Sequence, residues 1–290
     1  MAALAAHRRP VIKGLSFHVE SDNDYDISNC GHGHDWSKPD DDHLSIGDVM
    51  SNSATRHVEE LRITAHYSQN RDSTYMILGL YILRIRALPH EALRVLHIVH
   101  SELEVASSSS GGAPSFPRLT SLHLQACEVT LRGLRDMIHG APQLVTARFE
   151  NIFFESDPYD DDDSNCDNNS NGHGYEIRGP EVSSMDVVDW KGWDNDGIEL
   201  DMPKLQYFRY VGNLEYKVSM KSQQACHMTR VDLNFKDQGR KSDEHYRVSF
   251  WQFLRNFNNT KVLKLKLDFP IDHIAVADLT SLHELLGDRT

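Results

Sequence analysis

The sequence predicts an α/β solenoid, in which short strand-containing units stack on one another and share a continuous core. Three segments, 93–101, 119–127 and 205–213, repeat one apolar spacing of the form LxxLxLxx, followed by a small polar residue or cysteine. A unit of this size cannot bury its apolar face alone, so it must pack against neighbouring units. Such a stack offers an extended strand surface, and we expect the functional site on that surface rather than in a pocket.

The length of the units supports this prediction. Aligning the fourth position of each unit gives Leu61, Leu96, Leu122, Ala147, Met185, Phe208, Val231 and Leu265. Four of the seven steps between these residues measure 23 to 26 residues, within the roughly 20–29 residues of leucine-rich repeats. The predicted fold is therefore a leucine-rich-repeat solenoid with irregular repeats, a right-handed β-α superhelix of the ribonuclease-inhibitor-like horseshoe type. Cys127 fills the polar slot of its unit and is predicted to be a buried structural thiol.

Each unit is predicted to contain a strand and to return through a helix or a turn. Positions one, four and six are apolar and face inward, while the residues between them face outward, as strand geometry requires. Apolar residues at helical spacing predict a helix over 130–140, which Gly140 and Pro142 end. Two further helices are predicted over 74–86 and 249–257.

The repeats are expected to form one domain, because a solenoid grows along a single axis. The predicted boundaries are a flexible tail over 1–14, the solenoid over 15–286 and a second tail over 287–290. Polar loops are predicted near 20–43, 155–175 and 236–246. The second loop is rich in Asp and Asn and has almost no apolar residue, so it is expected to be a disorder-prone insertion that the stack tolerates.

Charge and composition argue against several classes of partner. The chain has 290 residues, a net charge of −13 and 39% hydrophobic residues. This acidity argues against binding to nucleic acid or to an anionic membrane, because both attract basic patches. The longest apolar run, over 75–83, is far shorter than the roughly 20 residues that span a bilayer. The N-terminal apolar segment is too short for a signal peptide, so the expected location is cytoplasmic, nuclear or both.

The sequence contains no motif that predicts catalysis, so we expect no enzyme activity and no cofactor. Two His-Glu pairs begin like the zinc-protease motif HExxH, but Arg94 and Gly287 stand where the second histidine must be. No phosphate-binding glycine motif and no GxSxG elbow is present. A metal-dependent enzyme that uses the Asp- and His-rich loops, with Cys30, His32 and His34 as its best ligands, is the alternative from another class.

Several segments resemble the leucine-rich-repeat region of plant F-box proteins, especially the large grass family. They are 14–19, 57–63, 92–96, 116–124, 141–144 and 202–210. Ala141–Leu144 is similar to the CPxLE opening of that family's repeats, with Ala141 in place of cysteine. Met202–Tyr210 is similar to its recurrent xPxLxxFxY strand. The resemblance runs from about Leu15 to Leu286.

The resemblance implies a non-catalytic protein-interaction module that recognises the substrate of a ubiquitin ligase. Members of that family begin with an F-box, a Leu-Pro-rich helical module that docks on the adaptor subunit of the ligase. Only fourteen residues precede Leu15, so this chain is expected to lack the F-box, which argues against adaptor binding. The expected partner is a protein, which the resemblance makes a ubiquitination substrate. The alternative is a scaffold or decoy of the same fold that is unconnected to ubiquitination.

The outward strand residues are the predicted protein-binding surface. Its candidate residues are Arg62, His97, His123, Gln125, Arg148, Glu150, Asp186, Tyr207, Arg209, Arg230, Asp232 and Lys264. Tyr207, Arg148 and Arg209 are expected to contribute most of the binding energy, because Tyr and Arg are enriched at interface hot spots. His97 and His123 lie one repeat apart on outward positions and are predicted to be neighbours.

Overall fold

The computed structural model describes residues 12–21, 46–50, 55–67, 81–105, 114–155, 175–192, 197–213, 218–221, 228–236 and 244–268. Some predictions lie outside these residues. They are most of the N-terminal tail, the C-terminal tail, the candidate metal ligands Cys30, His32 and His34, and nearly all of the predicted polar loops.

Strands and helices are numbered here along the described chain. The strands are β1 (Gly14–Ser21), β2 (Glu60–Tyr67), β3 (Tyr81–Arg84), β4 (Val95–Val99), β5 (Ser101–Glu104), β6 (Ser121–Gln125), β7 (Glu128–Thr130), β8 (Thr146–Glu150), β9 (Phe153–Glu155), β10 (Tyr175–Arg178), β11 (Ser184–Val188), β12 (Lys191–Gly192), β13 (Ile198–Asp201), β14 (Tyr207–Gly212), β15 (Val218–Met220), β16 (Arg230–Phe235) and β17 (Val262–Leu267). The helices are α1 (Ile46–Met50), α2 (Leu131–His139) and α3 (Glu244–Arg255), and a short 3₁₀ helix covers Ile85–Ala87.

Nine parallel strands form the main sheet, in the order β1-β2-β4-β6-β8-β11-β14-β16-β17. Each neighbour in this order is also the next main-sheet strand along the chain, so each unit adds one strand. A stack of repeats predicts strands that lie parallel and in chain order, and this prediction is confirmed. The fourth-position residues from Leu61 to Val231 pair in a single register. Mostly parallel strands with few helices give the described chain an α/β-type architecture.

The last strand departs from the predicted register. Val231 pairs with Leu263 and not with Leu265, which was assigned to the fourth position. Three leucines alternate with Val and Lys along β17, so each of them fits a strand pattern and spacing alone cannot separate them. A shift of two residues keeps every side chain on its face, so the outward position predicted for Lys264 stands.

The three predicted helices have different outcomes. The first is confirmed as α2, which begins after Thr130, where the Thr130 Oγ1 accepts a hydrogen bond from the Gly133 N–H at 3.0 Å. The third is confirmed as α3, although α3 begins five residues earlier than expected. The helix predicted over 74–86 is wrong where it is described, because Tyr81–Arg84 form β3. A short apolar run does not distinguish a buried strand from a buried helix.

Two smaller parallel sheets, which the sequence analysis did not predict, accompany the main sheet. We call β3, β5, β7, β9 and β12 the second sheet, while β10, β13 and β15 form a third. Four residues with a φ of 49–56° connect main-sheet strands to second-sheet strands: His100, Ala126, Asn151 and Asp189. Each donates its backbone N–H to a carbonyl of the next unit at 2.7–3.0 Å. This turn occurs in four units, where it sends the chain from the main sheet to the second sheet.

The apolar positions of the repeat line one continuous core. In the three strongest units, nine residues at positions one, four and six are at most 2% exposed: Leu93, Leu96, Ile98, Leu119, Leu122, Leu124, Leu205, Phe208 and Tyr210. Cys127 is buried as predicted, and its Sγ–H donates to the Gln125 carbonyl at 3.3 Å. Burial raises the pKa of the Cys127 thiol to about 11, which keeps it protonated and is consistent with a packing role.

Candidate protein-binding surface

The outward side chains of the main sheet form rows that run across the strands. The central row, in sheet order, is Ser16, Arg62, His97, His123, Arg148, Asp186, Arg209, Asp232 and Lys264. Neighbours in a row are one strand apart, about 4.8 Å. Eight of the twelve predicted site residues lie in this row. Tyr207 and Arg230 lie in the row on one side of it, and Gln125 and Glu150 lie in the row on the other.

His97 and His123 are neighbours, as the sequence predicted. Their rings are stacked, with centroids 4.1 Å apart and an interplanar angle of 6°. Burial, and then the Arg62 guanidinium, lower the pKa of His97. Burial, and then His97 itself, lower the pKa of His123 to about 4. Both imidazoles are therefore neutral at pH 7, and this form allows two rings to stack without charge repulsion.

The imidazole pair lies beside an ion-pair network centred on Glu150. The Arg148 Nε donates to the Glu150 Oε1 at 2.6 Å. The other Glu150 oxygen lies 3.7 Å from the His123 Nε2, which is too long for a hydrogen bond. The Nε2 atoms of both histidines are buried and have no hydrogen-bond partner among the described residues. Buried polar atoms without a hydrogen-bond partner are uncommon in folded proteins.

Asp186 links this network to the other half of the face. The Arg148 Nε lies 4.0 Å from its Oδ2, and Arg209 is its register neighbour on the other side. Burial raises the pKa of Asp186, and the two arginines act in the opposite direction. Because the Asp186 carboxylate is partly desolvated, its interactions with the neighbouring arginines are stronger than those of a fully exposed carboxylate.

Tyr207, Arg230 and Asp232 form a third group on the face. The Arg230 guanidinium donates to both carboxylate oxygens of Asp232, at 2.6 Å from Nη2 and 2.9 Å from Nε. These bonds lower the pKa of Asp232. The guanidinium carbon also lies 5.7 Å from the centre of the Tyr207 ring, and the Tyr207 hydroxyl donates to Asp232 at 3.4 Å. An aromatic ring held by an arginine is a typical interface anchor.

An acidic cluster on the second sheet was missed by the sequence analysis. Glu102 pairs with Glu128 across β5 and β7, and Glu155 lies one strand further on. Burial, and then Glu155, raise the pKa of Glu128 to about 7, and the two carboxyl groups share a hydrogen bond. Burial also raises the pKa of Glu102. Turn residues such as Asn151, which tolerates a positive φ, are the sequence signal for a second strand.

The described ranges contain neither a candidate metal-binding cluster nor a helix that could span a membrane. No group of three or more His, Cys, Asp or Glu side chains there has an arrangement that could hold a metal ion. None of the helices in those ranges is long and apolar enough to cross a membrane.

Comparison with protein-family models, with curated proteins and with solved structures finds no match for this chain.

Proposed function

We propose that the chain is a non-catalytic protein-interaction module with the fold of a leucine-rich-repeat solenoid. Three observations support that fold. Four of the seven steps between units measure 23 to 26 residues, the strands pair in parallel and in chain order, and positions one, four and six of the three strongest units are buried. A stack of such units presents its strands as one extended surface, which repeat proteins commonly use for binding.

The observation that carries the proposal is the continuous central row from Arg62 to Lys264. Eight strands in register align charged and imidazole side chains without interruption. Such a row gives a partner many fixed charges at a regular spacing, which favours specificity and rapid association. Tyr207 and Arg230, whose guanidinium lies over the Tyr207 ring, are of the residue types that contribute most to interface energies.

The resemblance to plant F-box proteins suggests the biological class of this binding. It makes the partner a protein destined for ubiquitination, recognised through the outward face. Co-purification of the chain with the adaptor subunit of a cullin-type ligase tests this part directly. Binding of a partner without binding of the adaptor would instead favour a scaffold or decoy role.

The face itself is tested by comparing what wild-type and variant chains capture from an extract. Arg148→Ala with Asp186→Ala removes a cation and a carboxylate from the centre of the row. The matched control is Lys204→Ala with Glu181→Ala, since this exposed ion pair at 2.6 Å lies outside the main sheet. Proteins bound by the wild type and by the control, and lost from the Arg148/Asp186 variant, are the expected result. Equal capture by all three chains would refute the assignment of the face.

A further inference from the structure

The outward side of the last three main-sheet strands, β14, β16 and β17, carries an excess of positive charge. Its nine side chains are in register, three from each strand. We call them the basic patch, and they are Tyr207, Arg209, Val211, Arg230, Asp232, Asn234, Val262, Lys264 and Lys266. Four of the nine are cationic and one is acidic, which gives a net charge of +3 in a chain whose net charge is −13.

Asp232, the single carboxylate of the patch, is already paired with a cation of the same patch, Arg230. Arg230 binds Asp232 through two of its nitrogens, at 2.6 and 2.9 Å. Arg209 and Lys264 flank Asp232 in the central row, and neither makes an ion pair with another described residue. Lys266 pairs at 2.8 Å with Asp268, just beyond the strand. Two cations of the central row are thus left available to a ligand.

From this arrangement we infer that the basic patch binds an acidic segment of the partner protein, one whose Asp or Glu side chains pair with Arg209 and Lys264. The inference rests on the proposed function and adds the chemistry of the partner. The two cations are two strands apart, about 10 Å, so a segment lying across the strands can bring one carboxylate to each. The Asp232–Arg230 pair between them, with Tyr207 beside it, provides a polar and aromatic floor for the same segment.

The charge of the whole chain favours a short acidic segment over nucleic acid. Duplex DNA brings one negative charge every ~1.7 Å along its axis. A long polyphosphate would therefore extend past the patch and meet the excess acid of the remaining chain. The Arg230 guanidinium also lies over the Tyr207 ring, 5.7 Å from its centre, where a base would have to stack.

The test measures the fluorescence anisotropy of a fluorescein-labelled decaglutamate peptide titrated with the full chain. The titration is made at about 0.15 M ionic strength, where exposed charges more than ~8 Å from the peptide are largely screened. The wild type should bind the peptide, and Arg209→Glu with Lys264→Glu should weaken binding at least about tenfold by replacing two attractions with two repulsions. The neutral double variant, Arg209→Gln with Lys264→Gln, should lose an intermediate amount of peptide affinity. If the charge-reversed chain does not fold, the neutral variant decides the test.

The matched control reverses two exposed cations outside the patch, Arg118→Glu with Arg255→Glu. It changes the net charge by the same amount and should leave peptide binding within about twofold of wild type, since distant exposed charges are screened. Absence of peptide binding by the wild type, or an equal loss in the control, would overturn the inference. Tighter binding of a single-stranded decathymidylate would overturn it in favour of nucleic acid. The Arg148/Asp186 capture experiment does not alter the patch, so the proposed function succeeds or fails separately.

Discussion

His97 and His123 stand on neighbouring strands of the main sheet, and Glu102 and Glu128 stand on neighbouring strands of the second sheet. In both places the repeat puts the same residue type at one position of successive units, and parallel pairing brings the side chains together. The two rings stack at 4.1 Å, whereas the carboxyl groups lie near Glu155 in a cluster where burial, and then Glu155, raise the pKa of Glu128 to about 7.

The two pairs differ in the charge that they carry near neutral pH. Burial lowers the pKa of both histidines, so they are neutral at pH 7 and do not repel each other. A carboxyl group becomes neutral only by retaining a proton, and the pKa of Glu128, raised to about 7 by burial and then by Glu155, favours that form at a higher pH than usual. Where successive repeats place the same titratable residue side by side, burial and like neighbours thus favour its uncharged form.

The two sites make opposite contributions to the pH dependence of stability. His123 has a folded pKa of about 4 against 6.5 when unfolded, so its contribution is present above pH 6.5 and is lost as the pH falls towards 4. Glu128 has a folded pKa of about 7 against 4.5, so its contribution is present below pH 4.5 and is lost as the pH rises through 7.

The contrast between the two sheets requires that the outward positions of the main sheet lie outside the core. Comparing Leu205→Ala with Tyr207→Ala tests this assignment. Leu205 is 1% exposed, so Leu205→Ala should reduce the free energy of unfolding by about 2–5 kcal/mol through a cavity. Tyr207→Ala should reduce it by less than about 1 kcal/mol, because its ring lies on the outward face. Urea unfolding measures both. A silent Leu205→Ala with an unfolded Tyr207→Ala would put the register wrong by one residue.

The main sheet could be predicted from sequence because its strands obey two rules at once. Residues such as Leu96 and Leu122 are buried at the fourth position, and side chains alternate between faces, so the spacing fixes both the order and the orientation of the strands. The stacking of His97 on His123 follows from the same register. Along β17 the rule does not fix the register, because leucine occurs at every second residue. The predicted fourth position is Leu265, whereas Leu263 pairs with Val231.

The second sheet could not be predicted because its strands are two to four residues long and carry no periodic pattern. Their existence depends on the turns at positive φ, and one of these turns uses Ala126, a residue that gives no signal for such a turn. The acidic cluster was missed for the same reason. The raised pKa of Glu128 depends on burial and on its neighbours Glu155 and Glu102, which come together only when β5, β7 and β9 lie side by side.

Replacing Glu128, the carboxyl group whose pKa is raised, tests the second sheet's side of the comparison. Glu128→Gln keeps the shape of the side chain and removes its charge, so the variant should be more stable than wild type by about 1–2 kcal/mol at pH 8, allowing for solvent screening. The gain should vanish at pH 4.5, where the wild-type carboxyl is protonated in the folded chain. Thermal unfolding at the two pH values measures the difference.

The control for this variant is Glu104→Gln, two residues from Glu102 on the same strand. Glu104 is exposed and its Oε2 accepts from the Arg84 Nε at 2.9 Å, so losing its charge removes only a surface ion pair, which contributes about 0–1 kcal/mol. The control should therefore give no gain at pH 8. A gain as large as that of Glu128→Gln would mean that the net charge of the chain, and not the cluster, sets the effect.

The smallest expected effect is on the main sheet, where His123→Gln removes one ring of the stacked pair. Wild type should lose stability between pH 6.5 and 4 as the unfolded chain takes up protons that the buried imidazoles resist. His123→Gln should reduce that loss by about 1 kcal/mol, allowing for screening by solvent. The exposed His57→Gln should leave the acid loss unchanged. Urea unfolding at pH 7.5 and 4.5 gives the loss for each chain. An equal loss of stability in His123→Gln and in wild type would show that the stacked histidines bind protons as easily as the unfolded chain does. The contrast between the two sheets would then depend on the carboxyl cluster alone.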